Sequence, residues 1–214
     1  MFKLKRKTLI LLSICLSGFI AFGLYHAHLE THPSEYQIQN FDTVLEQPDG
    51  ITCGPTSCAM VLKYYGKEVT IDEVKKQTKT HWWTLGKTPI GMTEPSMIKS
   101  AMGHFGVPAQ MRWGRSLHVL KHFVAQDKPV IVLVRSGDTT WHYVVVTGFD
   151  KEEFTIVDPG PGKTYKMKKD VLDKCWNFTH DMDGDECDND LLKNLLFNLD
   201  VYPRSMIIPK EAKK

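Results

Sequence analysis

The sequence carries no charge excess: 27 Lys and Arg stand against 25 Asp and Glu, and the formal net charge is +2. Beyond an N-terminal cluster the basic residues are scattered, which gives no reason to expect nucleic acid as a partner. Internal repeats and low-complexity tracts are absent too, so 214 residues at 42% hydrophobic content fit one globular domain with additions. Long apolar runs are nearly lacking. The one present extends from Leu9 to Tyr25, behind Lys3, Lys5, Arg6 and Lys7. A basic head before an apolar stretch is a secretory signal or an uncleaved anchor, and about 17 residues is the lower limit for a spanning helix. Ala21-Phe22-Gly23 offers a small-residue cleavage site, whereas Cys15 is a poor lipid acceptor because Ile14 precedes it and the run continues. Basic residues stay on the cytoplasmic side, so the body is expected outside the cytoplasm, on the periplasmic or extracellular face, either released or held by residues 9–25. Residues 26–40 are polar and aperiodic and read as a linker to a domain over residues 41–210.

Cysteine is scarce and odd in number, at five. Cys15 falls in the targeting segment and Cys58 on a helix core face. Cys175 and Cys187 remain as a pair for a disulfide in an exported protein. Between them and beyond, residues 177–199 read as an acidic insertion. Its run from Asp181 to Asp188 has Glu186 where a calcium loop needs glycine and Leu192 where it needs a bidentate glutamate. The expectation is a solvated acidic loop, with no metal and no cofactor.

The most informative stretch is Gln47 to Gly66. Pro48, Asp49 and Gly50 favour a turn. Pro55 suits a first helical turn, Ala59 to Leu62 supply a buried stripe, and Gly66 is the expected left-handed stop. Cys53 then sits at a helix start, where free N–H groups and the helix dipole favour a thiolate. Thr70-Ile-Asp-Glu73 is a capping box opening a short helix to about Thr78. Residues 81–93 read as a loop carrying Trp82 and Trp83, one of them a candidate groove lining. Thr93 or Ser96 opens a helix ending at Phe105, and Ser116 opens another through Ala125. Strands are expected over 129–134, 141–149, 154–158 and 205–208, all rich in Val and Ile. Helices first and an antiparallel sheet afterwards make an α+β domain.

Asp150 to Glu152 form a hairpin turn, and pairing the flanking strands about it brings His142 within a residue or two of Asp158. Cross-strand neighbours stand about 4.5–5.5 Å apart, so an imidazole and a carboxylate meet there. Of nine histidines, only His142 has an aspartate delivered by strand geometry. Cys53, His142 and Asp158 hold the parts for nucleophilic acyl transfer.

Gln47-x5-Cys53-Gly-Pro-Thr-Ser, together with His142-Tyr-Val-Val-Val-Thr-Gly and Ile-Val-Asp158-Pro, resembles the bacteriocin-processing, double-glycine-leader cysteine peptidases and their stand-alone relatives. The likeness runs from about Val44 to Trp176. It implies a papain-like fold, with an N-terminal helical lobe bearing the cysteine and a C-terminal antiparallel β lobe bearing His and Asp. It also implies roles: Cys53 as nucleophile, His142 as base, Asp158 as its orienter, and Gln47 as oxyanion donor beside the Cys53 N–H. Trp141 replaces a small residue usual in that family and is expected to narrow the pocket, making it a third substrate-binding candidate with Trp82 and Trp83. Leader-processing members are fused to transporters and act on the cytoplasmic side, so a bacteriocin substrate is not carried over; a peptide or protein substrate is. Two alternatives stand beside a peptidase. One is a thiol transpeptidase resembling phytochelatin synthases; the other is a non-catalytic peptide- or calcium-binding module on a peptidase fold.

Overall fold

The protein is described by a computed structural model covering residues 15–18, 20, 21, 23, 31–85, 88–137, 140–187 and 202–213, without the side chains of residues 82–90. Most of the apolar run over 9–25 lies outside these. Among the described residues no helix is long and apolar enough to cross a membrane.

A seven-stranded antiparallel sheet forms the centre. Its path runs β4 (Ala109–Arg112), β9 (Met206–Pro209), β5 (Val130–Gly137), β6 (Thr140–Phe149), β7 (Glu153–Asp158) and β8 (Lys163–Lys168), and a short β1 (Tyr36–Gln37) pairs with β6. Strand β5 explains the layering. Val130, Val132 and Val134 enter one apolar cluster and Ile131 and Leu133 the other, so both faces of the sheet are covered. Helices α1 (Cys53–Tyr64) and α3 (Pro95–His104) pack on the Ile131 face; α4 (Leu117–Val124) and α5 (Lys169–Trp176) pack on the Val132 face. Helix α1 is buried nearly all round, from Gly54 through Leu62: Cys58 to Leu62 are apolar, and the buried Ser57 hydroxyl donates to the Tyr143 carbonyl. The capping box of α2 (Ile71–Gln77) forms as expected: the Thr70 hydroxyl accepts from the Glu73 N–H, and the Glu73 carboxylate accepts from the Thr70 N–H.

The structure corrects several expectations. Residues 81–93 are not a loop but a hairpin, β2 (His81–Leu85) with β3 (Thr88–Met92). Pro89 hid the second strand, since proline is confined to edge positions such as this two-stranded ribbon. Tyr36 to Ile38, within the expected linker, belong to the domain: Tyr36 and Gln37 pair with Phe149 and Gly148, and Ile38 is 2% exposed. The helix after β3 starts from Glu94 with Pro95 in its first turn, not from Thr93 or Ser96. Cys175 and Cys187 are buried and form no disulfide with each other. Helix α5 turns Cys175 into the core beside Leu172 and Trp176, where its thiol donates to the Leu172 carbonyl.

Candidate active site

The site forms where the N-terminus of α1 meets the ends of β6 and β7. Thr52 stands at the N-cap but makes no side-chain cap; its hydroxyl donates to the Asp49 carbonyl instead. No acidic residue occupies the first turn. The N–H groups of Cys53 and Gly54 precede the first intrahelical bond, Thr56 N–H to the Thr52 carbonyl, so this end of the helix keeps its partial positive charge. Gly54 permits the close seat of that turn. A Cβ there would stand 3.1 Å from Thr93 Cβ, 3.2 Å from Tyr143 Cδ2 and 3.3 Å from Ile98 Cδ1. Cys53 is partly exposed, while Cys58, one turn further, is fully buried and its thiol pKa is pushed up by burial alone.

The turn between β6 and β7 is closed by Asp150, whose carboxylate accepts from the N–H groups of Glu152 and Glu153. Beyond it Val145 pairs with Val157, after a bulge between Val146 and Gly148. Continuing that register sets Val144 across from Asp158 and leaves His142 on the diagonal. There His142 Nε2 and Asp158 Oδ1 are 2.6 Å apart, with side chains 15% and 6% exposed. Gly160 N–H donates to the same oxygen at 2.8 Å, and the Tyr165 hydroxyl donates to Oδ2 at 3.0 Å. Nε2 being committed to Asp158, Nδ1 is the ring nitrogen left for Cys53, whose sulfur favours the charged ring.

Charge distribution follows from these contacts. Burial opposes a charged His142, but the Asp158 hydrogen bond, the Cys53 contact and the charges of both outweigh it, and the pKa rises from 6.5 to about 9. Burial likewise opposes the Asp158 carboxylate, yet the His142 contact, the Gly160 N–H and the Tyr165 hydroxyl hold its pKa below the ordinary value. Held between a carboxylate and a sulfur, the His142 ring puts a positive charge beside Cys53.

Gln47 lies on the loop before α1. Its N–H donates to the Pro159 carbonyl at 2.8 Å, tying this loop to the residue after Asp158. Its side-chain Nε2 donates to the Asp49 carbonyl at 2.7 Å, and Oε1 is buried without a partner among the described residues. Asp49 braces the loop further through the Ile51 N–H and an ion pair with Lys75 at 3.1 Å. Hairpin β2–β3 rests on the same loop: a Cβ on Gly91, the register partner of Trp82, would fall 2.6 Å from Ile51 Cβ. The side chains of Trp82 and Trp83 lie outside the described residues. Trp141 is half-buried against Phe178, ring centres 5.9 Å apart, with the Arg135 guanidinium 5.5 Å over its face.

In the acidic segment Asp181 closes its own turn, accepting from the N–H groups of Asp183 and Asp185. No group of three or more His, Cys, Asp or Glu converges on a metal-sized site among the described residues. Sequence reasoning missed three supports of the site. Tyr165 on β8, Gly160 after β7 and buried Arg135, which donates to the carbonyls of Phe178 and Cys187, carry no motif.

A central helix starting at a cysteine, set against an antiparallel sheet bearing His and Asp, defines a papain-like cysteine peptidase. Solved structures share this fold: a C39-like peptidase from Bacillus anthracis superposes with a TM-score of 0.61 at 16% identity, covering 85% of this chain and all of that one. The peptidase domain of Streptococcus ComA, a bi-functional ABC transporter involved in quorum sensing, gives 0.51 at 22% identity over 77% of this chain and 96% of that one. The chain belongs to the Peptidase_C39 like family, whose pattern matches residues 33–183. It is 31% identical over 140 residues to the transport/processing ATP-binding protein ComA of Streptococcus pneumoniae, covering 61% of this chain and 17% of that protein. An uncharacterized protein of Methanothermobacter marburgensis is 27% identical over 133 residues, covering 62% of this chain and 82% of that one. The chain thus spans about a sixth of the length of the transport/processing relative, 17% of it.

Proposed function

We propose that this peptidase hydrolyses a peptide or amide bond with Cys53 as nucleophile, His142 as general acid and base, and Asp158 as the group that orients His142. The observation that carries this reading is the 2.6 Å His142–Asp158 pair, whose other ring nitrogen is left for Cys53 at an uncapped helix start. The thiolate attacks the carbonyl carbon, and His142 delivers its proton to the departing amine. Water, deprotonated by His142, then releases the acyl group from sulfur. The Cys53 N–H and Gln47 Nε2 donate to the oxygen as it gains charge. Only one N–H of the Gln47 amide is spent, on Asp49, which leaves the other for the substrate.

The substrate is a peptide or protein, and Trp82, Trp83 and Trp141 are its candidate aromatic contacts, as their places in the sequence suggest. A double-glycine leader is not assumed, because the likeness to transport/processing proteins covers a small part of them. Residues 1–25 form an export signal or anchor that places the domain outside the cytoplasm, as the basic head before an apolar run supports. Gln47→Ala tests the assignment. Losing one oxyanion donor typically costs about 100- to 1,000-fold in kcat. Alkylation of Cys53 by iodoacetamide depends on His142 and the helix, so it stays near wild type. Turnover of a cleaved peptide within a few-fold of wild type would remove Gln47 from the mechanism.

A further inference from the structure

Asp158 is 5% exposed, and its two oxygens are held by different strands. Oδ1 takes His142 from β6 and the Gly160 N–H, whereas Oδ2 takes the Tyr165 hydroxyl from β8 and no other donor among the described residues. Register accounts for the convergence. Asp158 pairs with Lys163, so Tyr165 lies two residues along β8, on the diagonal of Asp158, as His142 does on β6. We infer that Tyr165 is a positioning residue of the active site, whose hydroxyl fixes the carboxylate plane of Asp158 and through it the orientation of the His142 ring. The inference rests on the catalytic roles proposed for His142 and Asp158.

The terminal torsion of an aspartate is broad, so a carboxylate held by one oxygen can swing. A donor on the second oxygen removes that freedom, and outer partners of this kind govern how precisely a histidine is aimed. The hydroxyl is suited to the task because it stays protonated: burial and the Asp158 charge both push its pKa up. Hydrogen bonding to the ionised form also favours a charged Asp158. Other charged and titratable groups around the pair are Cys53 on α1, Cys175 on α5, Asp183 in the acidic segment, and Lys163, whose ammonium is 5.9 Å over the Tyr165 ring.

Tyr165→Phe keeps the ring and removes only the donor. In the full chain, on a library peptide cleaved by wild type, kcat is expected to fall about tenfold with KM within about twofold. The acidic limb of the iodoacetamide rate profile at Cys53 moves to higher pH, since Asp158 loses a donor that favours its ionised form. A lower melting temperature with both readouts unmoved would mark Tyr165 as structural and overturn the inference. Wild-type kcat and an unmoved limb in Tyr165→Phe, beside lost turnover in Asp158→Asn, would overturn it while leaving the Asp158 role intact. Full turnover in Asp158→Asn would sink both.

Discussion

At the scale of residues, reactivity is decided by environment rather than by residue type. Cys53 and Cys58 lie on one helix five residues apart in the chain, yet one meets His142 at an open helix end and the other is fully enclosed. Iodoacetamide at pH 6 to 7 is therefore expected to label Cys53 of the folded protein, with Cys58 lagging until unfolding; equal labelling by peptide mapping would contradict the assignment. Cys175 and Cys187 should also react only after unfolding, and mapping without reductant should recover them unlinked. His142 makes a pH prediction. Its folded pKa, about 9, exceeds the ordinary 6.5, so its pairing contributes stability in full below about 6.5 and loses it as pH rises through 9. NMR of the ring should show titration near 9 in wild type and a clear drop in Cys53→Ala, where one of the groups favouring the charged ring is gone. An unshifted titration near 6.5 in wild type would remove the ion pair from the account.

At the scale of elements, the parts legible in the sequence were those with one dominant signal. The Val- and Ile-rich strands expected over 129–134, 141–149 and 154–158 were readable because burial on both faces leaves a nearly continuous apolar run. The helix at Cys53 was readable from Pro55 and Gly66, and the His142–Asp158 meeting from one hairpin turn. Elements with mixed faces were not. Strand β8, Lys-Thr-Tyr-Lys-Met-Lys, is an edge strand with its apolar content reduced to Tyr165 and Met167, and α5 buries only Leu172, Cys175 and Trp176. Strand β1 has two residues and exists only because β6 is there to pair with it. Gly54 tests how tightly α1 is seated. Gly54→Ala places a methyl group within 3.1–3.3 Å of three side chains, and overpacking of this kind costs about 1–3 kcal/mol. A thermal melt should show the loss, with turnover falling as Cys53 is displaced; an unchanged melting temperature would mean that the helix start has room to shift.

At the scale of the whole molecule, the site is an agreement between distant parts of the chain. The loop at Gln47, the ends of β6 and β7, and β8 behind them converge through backbone and side-chain bonds that no single motif contains. Arg135 extends this network outward, pinning the start of the acidic segment by the carbonyls of Phe178 and Cys187 while covering Trp141. The central claim is that the converged groups cut peptide bonds through the Cys53 sulfur. Mass spectrometry of a peptide library incubated with wild type and with Cys53→Ala tests it most directly. The account predicts new termini from wild type, a transient acyl adduct on the peptide containing Cys53, and no products above background from the variant. Identical products from both proteins, or none from wild type whose Cys53 alkylates rapidly at neutral pH, would contradict it.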